Sequence, residues 1–350
     1  MSGWSARCKR QDAVIGEVDL DSVVAFLRRP VAYPEVPGEV VVVQTHMSWV
    51  FLTGTHAYKL KKRVRLNGVD LGTPARRREN CEEEVNLNRR LAPDVYLGVV
   101  ALTLEPDGRL SLGGSGEPVD WLVRMRRLSA NDMLDAVIAG GRTMAEEPSI
   151  RAAARHLARF YATAPPEPLS ALAHCSLLAD GVRRDVRTLS SARYGLPVRT
   201  LESLARAELA YLERCYSVFE HRILTDRIVD GHGDLRPEHV CLRPAPAIID
   251  CLEFAKELRI VDPADELAFL ALECDRLGDA RAGQWFLETY SHVTDDEPPE
   301  SLIHFYRVYR ALRRARIAAA HLDDPSVPNP KKFADRARQY LDMVEPVAIG

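Results

Sequence analysis

The apolar pattern changes character after Met125. Before that point it is mostly strand-like. Val40 to Thr45, Ser48 to Thr53 and Ala57 to Lys61 are rich in β-branched and aromatic residues, with Gly54 and Thr55 at a turn, and they predict antiparallel hairpins. Val95 to Leu104 and Trp121 to Met125 predict two further strands across a Gly-rich turn region from Asp107 to Glu117. Two helices interrupt this region. One spans about Glu17 to Arg29, with Val18, Val23, Phe26 and Leu27 apolar, and stops before Pro30, Pro34 and Pro37. The other spans about Pro74 to Leu91, charged at Arg76, Arg77, Arg78 and Glu79 and apolar at Val85, Leu87 and Leu91. Beyond Met125 helical spacing dominates from Asp132 to about His221, broken at Pro165, Pro166, Pro168 and Pro197. A strand–loop–strand region follows from Ile228 to Asp250, and amphipathic helices fill most of the rest to Met343. Strands first and helices later predict an α+β chain of two lobes, residues 1–125 and 126–350, with a hinge at Met125 to Leu128.

Composition narrows the setting. The 350 residues are 46% apolar and 28% charged, an ordinary globular balance. A net charge of −3 gives no basic surface for nucleic acid, and no apolar run reaches the roughly 20 residues of a spanning helix. Met1 to Asp12 is polar and has no signal-peptide core, and the seven cysteines include no CxxC pair. These features predict a cytoplasmic protein with reduced thiols and neither a nucleic-acid nor a membrane partner. No GxxxxGK[ST] is present, so a P-loop kinase is not predicted.

The chemistry concentrates in Val229-Asp-Gly-His-Gly-Asp-Leu-Arg-Pro-Glu-His-Val-Cys-Leu242 and the following Ala247-Ile-Ile-Asp250. Read as a hairpin, this stretch puts Asp234 and Asp250 at the ends of adjacent short strands and turns His239 toward them. Phosphoryl transfer requires a carboxylate to orient the acceptor hydroxyl and a divalent cation on the phosphates. Carboxylate oxygens suit Mg²⁺. In the first lobe, strand alternation puts Ala57, Lys59 and Lys61 on one face.

The run His232-Gly-Asp-Leu-Arg-Pro-Glu-His239 resembles the HGDxxxxN catalytic loop of the aminoglycoside phosphotransferase family. Ile249-Asp250 resembles that family's second metal motif, and Val261-Asp-Pro-Ala-Asp-Glu-Leu-Ala268 is similar to its DPAxDLA stretch. The resemblance covers about Thr45 to Leu270. It implies a two-lobed protein-kinase-like fold with an antiparallel-sheet N-lobe and a helical C-lobe, and an enzyme that uses ATP and Mg²⁺ to phosphorylate a hydroxyl. It implies Asp234 as base, Asp250 as metal ligand, and Asp265 as a brace of the loop. The family's metal-binding Asn is replaced by His239, as in macrolide-modifying relatives. Imidazole is a softer ligand, so Mn²⁺ is a second candidate ion. Glu253 is a further candidate near the metal. By the same resemblance Lys59, with small Ala57 before it, is the phosphate lysine in preference to Lys61. Glu84, seven residues before Leu91, is its partner ahead of Glu82 and Glu83. His46-Met-Ser-Trp-Val-Phe-Leu-Thr-Gly54 occupies the place of the Gly-rich loop, with the Ser48 hydroxyl as a nucleotide contact and Met125 as another at the hinge. Trp49-Val-Phe-Leu-Thr-Gly54 and Arg89-Arg-Leu-Ala-Pro-Asp-Val-Tyr-Leu-Gly98 look like a bacterial branch in which many members continue into a P-loop kinase-like domain. None is expected within this chain.

Plainer roles compete with these. His232 is expected to bond the loop backbone. Arg76 to Arg78 opposite Glu82 to Glu84 reads as a salt-bridged helix face, and Arg313, Arg314 and Arg316 as a solvated one. A metallohydrolase using His232, Asp234, His239 and Asp250 is the rival enzyme class, and a nucleotide-binding protein without transfer activity is the rival non-enzyme. The acidic stretch Asp262 to Asp279 suggests an amine-bearing acceptor such as an amino sugar.

Overall fold

The computed structural model describes residues 18–45, 47–66, 69–324 and 327–347. His46, Trp4, Cys8, Glu17 and the stretch Met1 to Asp12 therefore lie outside the described residues. The chain forms two compact units: residues up to Val85 with Leu97–Arg127, and Asn86–Tyr96 with Leu128 onward. The division lies two residues beyond Met125, because Arg127 stays tied to the first unit. Its backbone N–H donates to the Thr55 carbonyl at 2.8 Å and its guanidinium to the Thr53 carbonyl at 2.6 Å.

The first unit opens with α1 (Leu20–Leu27), N-capped by the Asp19 side chain on the Ser22 N–H. Strands β1 (Val41–Gln44), β2 (Ser48–Leu52) and β3 (His56–Lys61) follow as antiparallel hairpins. A short pair, β4 (Arg65–Leu66) and β5 (Val69–Asp70), leads into helix α2 (Pro74–Asn88). Then come β6 (Tyr96–Leu104), β7 (Leu110–Leu112) and β8 (Glu117–Arg126). The six-stranded sheet has the order β1-β2-β3-β8-β6-β7. The expected Gly-rich turn thus contains one strand of its own, β7, paired Leu102 to Leu112. Phe51, Tyr58, Leu60, Leu102 and Leu122 form the core with Val23 and Leu27 of α1.

The charged start of α2 forms the expected salt-bridged face only in part. Among the described residues Arg78 and Glu82 pair along it, at 2.8 Å and half exposed. Arg76 reaches Asp70, and Arg77 is fully buried, forked onto Asp120 of β8 at 2.7 and 2.9 Å. Helical periodicity marks Arg77 as surface. A bidentate carboxylate partner supplied by a distant strand leaves no local signal.

The second unit is mainly helical: α3 (Leu134–Ala139), α4 (Glu147–Thr163), α5 (Ala171–Leu189), α6 (Val198–Arg214) and α7 (Tyr216–Leu224). Four two-residue strands follow: β9 (Val229–Asp230), β10 (Val240–Cys241), β11 (Ala247–Ile248) and β12 (Ile260–Val261). Helices α8 (Pro263–Arg276), α9 (Ala280–Thr294), α10 (Glu300–Ala320) and α11 (Pro330–Asp342) complete it. Helix α8 is buried on nearly every side. It starts at Asp262, whose carboxylate caps the Ala264 N–H at 2.9 Å, with Pro263 at its first turn. Among the described residues no helix is long and apolar enough to cross a membrane.

Candidate active site

The strand pairing around the Asp234 loop differs from the simple hairpin expected of it. β10 pairs with β11, but β9 pairs with β12, Val229 opposite Val261. Asp234 therefore sits in the loop after β9, and Asp250 lies two residues past β11. Neither is at a strand end facing the other. What joins them is His239, which ends a 3₁₀ turn, Pro237–His239. Its Nδ1–H donates to the Asp234 carbonyl at 2.8 Å, so Nε2 carries the lone pair, which accepts the Arg236 N–H at 3.2 Å and lies 3.5 Å from the Asp250 carboxylate. Asp250 has a left-handed backbone, φ +62°, a conformation that costs a residue with a Cβ about 1–2 kcal/mol. Its N–H is held by the Tyr96 hydroxyl at 3.1 Å, and that of Cys251 by the Asn88 side chain at 2.9 Å. Arg90 adds bonds to the carbonyls of Asp230 and Gly231, at 2.9 and 2.7 Å. The 86–96 segment thus belongs to the second unit because it clamps this loop.

His232 is fully buried and both ring nitrogens are engaged. Nε2–H donates to the Ile249 carbonyl at 2.8 Å, and Nδ1 accepts the Asp234 N–H at 3.3 Å. Burial, with His239 adding to it, lowers its pKa to about 4, so it is neutral at pH 7. A histidine committed on both sides to backbone is a strut, which removes one ligand from the metallohydrolase set.

The brace of the loop is one residue away from the expected Asp265. Asp265 is forked onto Arg310 at 2.6 Å through both oxygens. Glu266 does the bracing: its buried carboxylate accepts the N–H of His232 at 2.9 Å, the N–H of Gly233, and the Tyr161 hydroxyl at 2.6 Å. Burial pushes the Glu266 carboxyl up, and these donors only partly offset it.

Asp234 keeps a quarter of its side chain exposed and is ion-paired to Arg236 at 3.0 Å. Burial pushes its carboxyl up. Arg236, followed by His239 and Arg314, outweighs that and holds it below the usual carboxylate range. Arg236 also donates to Glu238 at 2.6 Å and to His239 Nε2 at 3.2 Å. Sequence reading missed Arg236, although its place two residues after the aspartate was a usable signal.

In the first unit, Lys59 and Lys61 both pair with Glu84, Lys59 at 2.8 Å. Lys59 is 14% exposed and Lys61 1%, so Lys59 is the one able to reach a ligand. Glu82 and Glu83 are exposed. Ser48 lies across from Lys61 in β2, buried, and its hydroxyl makes no hydrogen bond among the described residues. Met125 lies across from Ala57 on β8. Glu253 is half-buried in the loop after β11.

No family model matches the chain. It is 33% identical over 309 residues to an uncharacterized protein of Mycobacterium tuberculosis and to a counterpart in Mycobacterium bovis. The match covers 86% of this chain and 58% of theirs. Among solved structures it is similar to a putative aminoglycoside phosphotransferase from Ralstonia eutropha, with TM-score 0.53 and 14% identity over 93% and 96% of the two chains. It is also similar to a choline/ethanolamine kinase family protein from Mesorhizobium loti, with TM-score 0.50 and 15% identity over 92% and 98%. A third similar structure is an aminoglycoside 2″-phosphotransferase with GDP and kanamycin, with TM-score 0.51 and 15% identity over 93% and 98%. The chain has the kinase-like fold of the aminoglycoside and choline phosphotransferases. Within this kinase-like fold, α2 carries Glu84 against β3, and the loop after β9 carries Asp234.

The acidic stretch, by contrast, is not an open amine-binding surface. Asp262 is forked onto Arg222 at 2.8 and 2.7 Å, Glu273 accepts the Tyr340 hydroxyl at 2.6 Å, and Asp275 pairs with Arg307 at 2.9 Å. Arg314 and Arg316 are not a solvated face either. Arg316 pairs with Asp185 at 2.6 Å, and Arg314 lies 3.6 Å from Glu273 and over the Phe269 and Tyr340 rings.

Proposed function

We propose that the protein is an ATP-dependent phosphotransferase acting on a hydroxyl of a small molecule. The observation that carries this reading is the clamped loop: Asp234 is kept ionised beside Arg236, while His232 and Glu266 fix the backbone that aims it. The acceptor hydroxyl attacks the γ-phosphorus of ATP. A P–O bond forms as the bond to the β,γ-bridging oxygen breaks, and ADP leaves with that electron pair. The hydroxyl proton passes to Asp234. A carboxylate this acidic orients the hydroxyl and takes its proton late, which suits a loose transition state.

Asp250 and His239 would hold Mg²⁺ or Mn²⁺. The fit rests on the donor set: one carboxylate and an imidazole whose tautomer is fixed by the Asp234 carbonyl, with Nε2 3.5 Å from the carboxylate and accepting the Arg236 N–H at 3.2 Å until it exchanges that donor for the ion. Mg²⁺ is commonly bound by one or two protein groups plus substrate phosphates. When bound, the ion supplies charge neutralisation at the phosphate oxygens. Lys59, tethered by Glu84, would hold nucleotide phosphate, with Ser48 and Met125 as further nucleotide contacts.

The test is ADP release over a panel of hydroxylated small molecules. Asp234→Asn should lower turnover on the order of 10²–10⁴-fold while ATP affinity stays near that of the parent. Undiminished turnover would remove Asp234 from the chemistry.

A further inference from the structure

Arg236 stands just before the Pro237–His239 turn and engages all three of its guanidinium nitrogens there. Nε donates to the Asp234 carboxylate at 3.0 Å, Nη1 to the Glu238 carboxylate at 2.6 Å, and Nη2 to His239 Nε2 at 3.2 Å. The first two are ordinary ion pairs. The third covers the nitrogen that the proposed metal site needs.

That contact is exclusive. A guanidinium has no acceptor, so His239 Nε2 accepts the bond, and an imidazole nitrogen in that role has one in-plane lone pair. The lone pair can take the Arg236 N–H or a divalent cation, never both. The ring cannot turn to offer its other nitrogen. Nδ1–H is given to the Asp234 carbonyl at 2.8 Å, and the ring stacks on that of fully buried His232 with centroids 5.8 Å apart. The His239 side chain is 7% exposed and that of Arg236 21%, so the arginine is the partner with room to leave. Asp234 and Glu238 tether it against leaving, and a guanidinium beside the nitrogen repels an incoming dication.

We propose that Arg236 guards the metal site: it is a positioning residue that competes with the ion for His239 and so holds down the affinity of the site for a bare divalent cation. This rests on the phosphotransferase reading, which assigns Asp250 and His239 to the metal. The same side chain holds the Asp234 carboxylate, so a cation that takes Nε2 must shift a group bonded to the proposed base. Arg236 thereby couples occupation of the metal site to the setting of Asp234.

The experiment titrates bare Mn²⁺ onto the nucleotide-free full chain and reads the free ion by electron paramagnetic resonance. The parent, Arg236→Met, His239→Ala and the double variant are compared. Arg236→Met should tighten Mn²⁺ binding roughly ten- to a hundredfold, the worth of one charge-assisted hydrogen bond. Loss of an arginine that merely braced the loop would have the opposite sign. The gain should also require the imidazole. With His239→Ala in place, Arg236→Met should tighten binding a few-fold at most, the effect of removing one partly exposed cation from the neighbourhood. Equal gains in the two backgrounds would make Arg236 a nearby charge and overturn the guard, as would unchanged or weaker binding in Arg236→Met. Failure of the underlying reading looks different. Mn²⁺ that binds none of these proteins, with ATP or without, overturns the metal site itself and the guard with it.

Discussion

In the first unit one carboxylate, Glu84, serves two lysines. In the second, one carboxylate, Glu266, serves two backbone N–H groups and a tyrosine. The first arrangement joins side chains and leaves slack: Lys59 keeps some exposure, and its charge can be shared with a ligand. The second arrangement joins a side chain to main chain and removes slack. Under the proposed function the first kind would grip a mobile polyphosphate and the second would aim one carboxylate.

The largest effect that would sharpen this contrast is at Glu266. Glu266→Ala strands two buried amides and a buried hydroxyl, each costing about 1–3 kcal/mol, so denaturant unfolding should show a loss of several kcal/mol. Glu84→Gln, which keeps an acceptor for the buried Lys61 ammonium, should lose less stability and more ATP affinity. Equal stability losses from the two would erase the distinction.

A smaller effect is expected from pH. His232 has a folded pKa depressed from 6.5 to about 4, so the unfolded chain binds its proton first as pH falls. The stability it contributes is present above about pH 6.5 and is lost as pH falls toward 4. The loss is roughly 3 kcal/mol for a shift of this size. In nucleotide- and metal-free protein, His232→Gln should flatten this part of the pH–stability curve. An unchanged slope would mean that His232 is not the strut.

The smallest effect separates the two lysines. Lys59→Ala should weaken ATP binding about tenfold, one charge-assisted bond, with little change in Tm. Lys61→Ala should do the opposite, because its buried ammonium is structural. The reverse pattern would make Lys61 the phosphate lysine.

These regions also differ in how much of them could be read from the chain. His232, Asp234, His239 and Asp250 stand close together in one segment, so their residue types and the family resemblance of that segment could propose them, although the hairpin read from their spacing did not form as read. Strand alternation put Lys59 and Lys61 on one face, and only the family resemblance singled out Lys59 and Glu84; in the fold both lysines share that partner. Glu266, Asn88, Arg90 and Tyr96 were not legible as site residues. They act on main-chain groups far away in sequence, and such bonds impose no local pattern of residue types. Misplacing the brace at Asp265 has the same origin. Two adjacent acids on a helix buried on nearly every side look alike until the fold turns one toward Arg310 and the other toward Gly233. The strand order around the Asp234 loop was hidden for a related reason, since two-residue strands carry no period.

The most direct measurement is calorimetric titration of the full chain with ATP, with and without Mg²⁺ or Mn²⁺, repeated on Asp250→Ala. The account predicts metal-dependent ATP binding that Asp250→Ala abolishes. ATP binding that is indifferent to metal, or that survives in Asp250→Ala with its metal dependence intact, would contradict it.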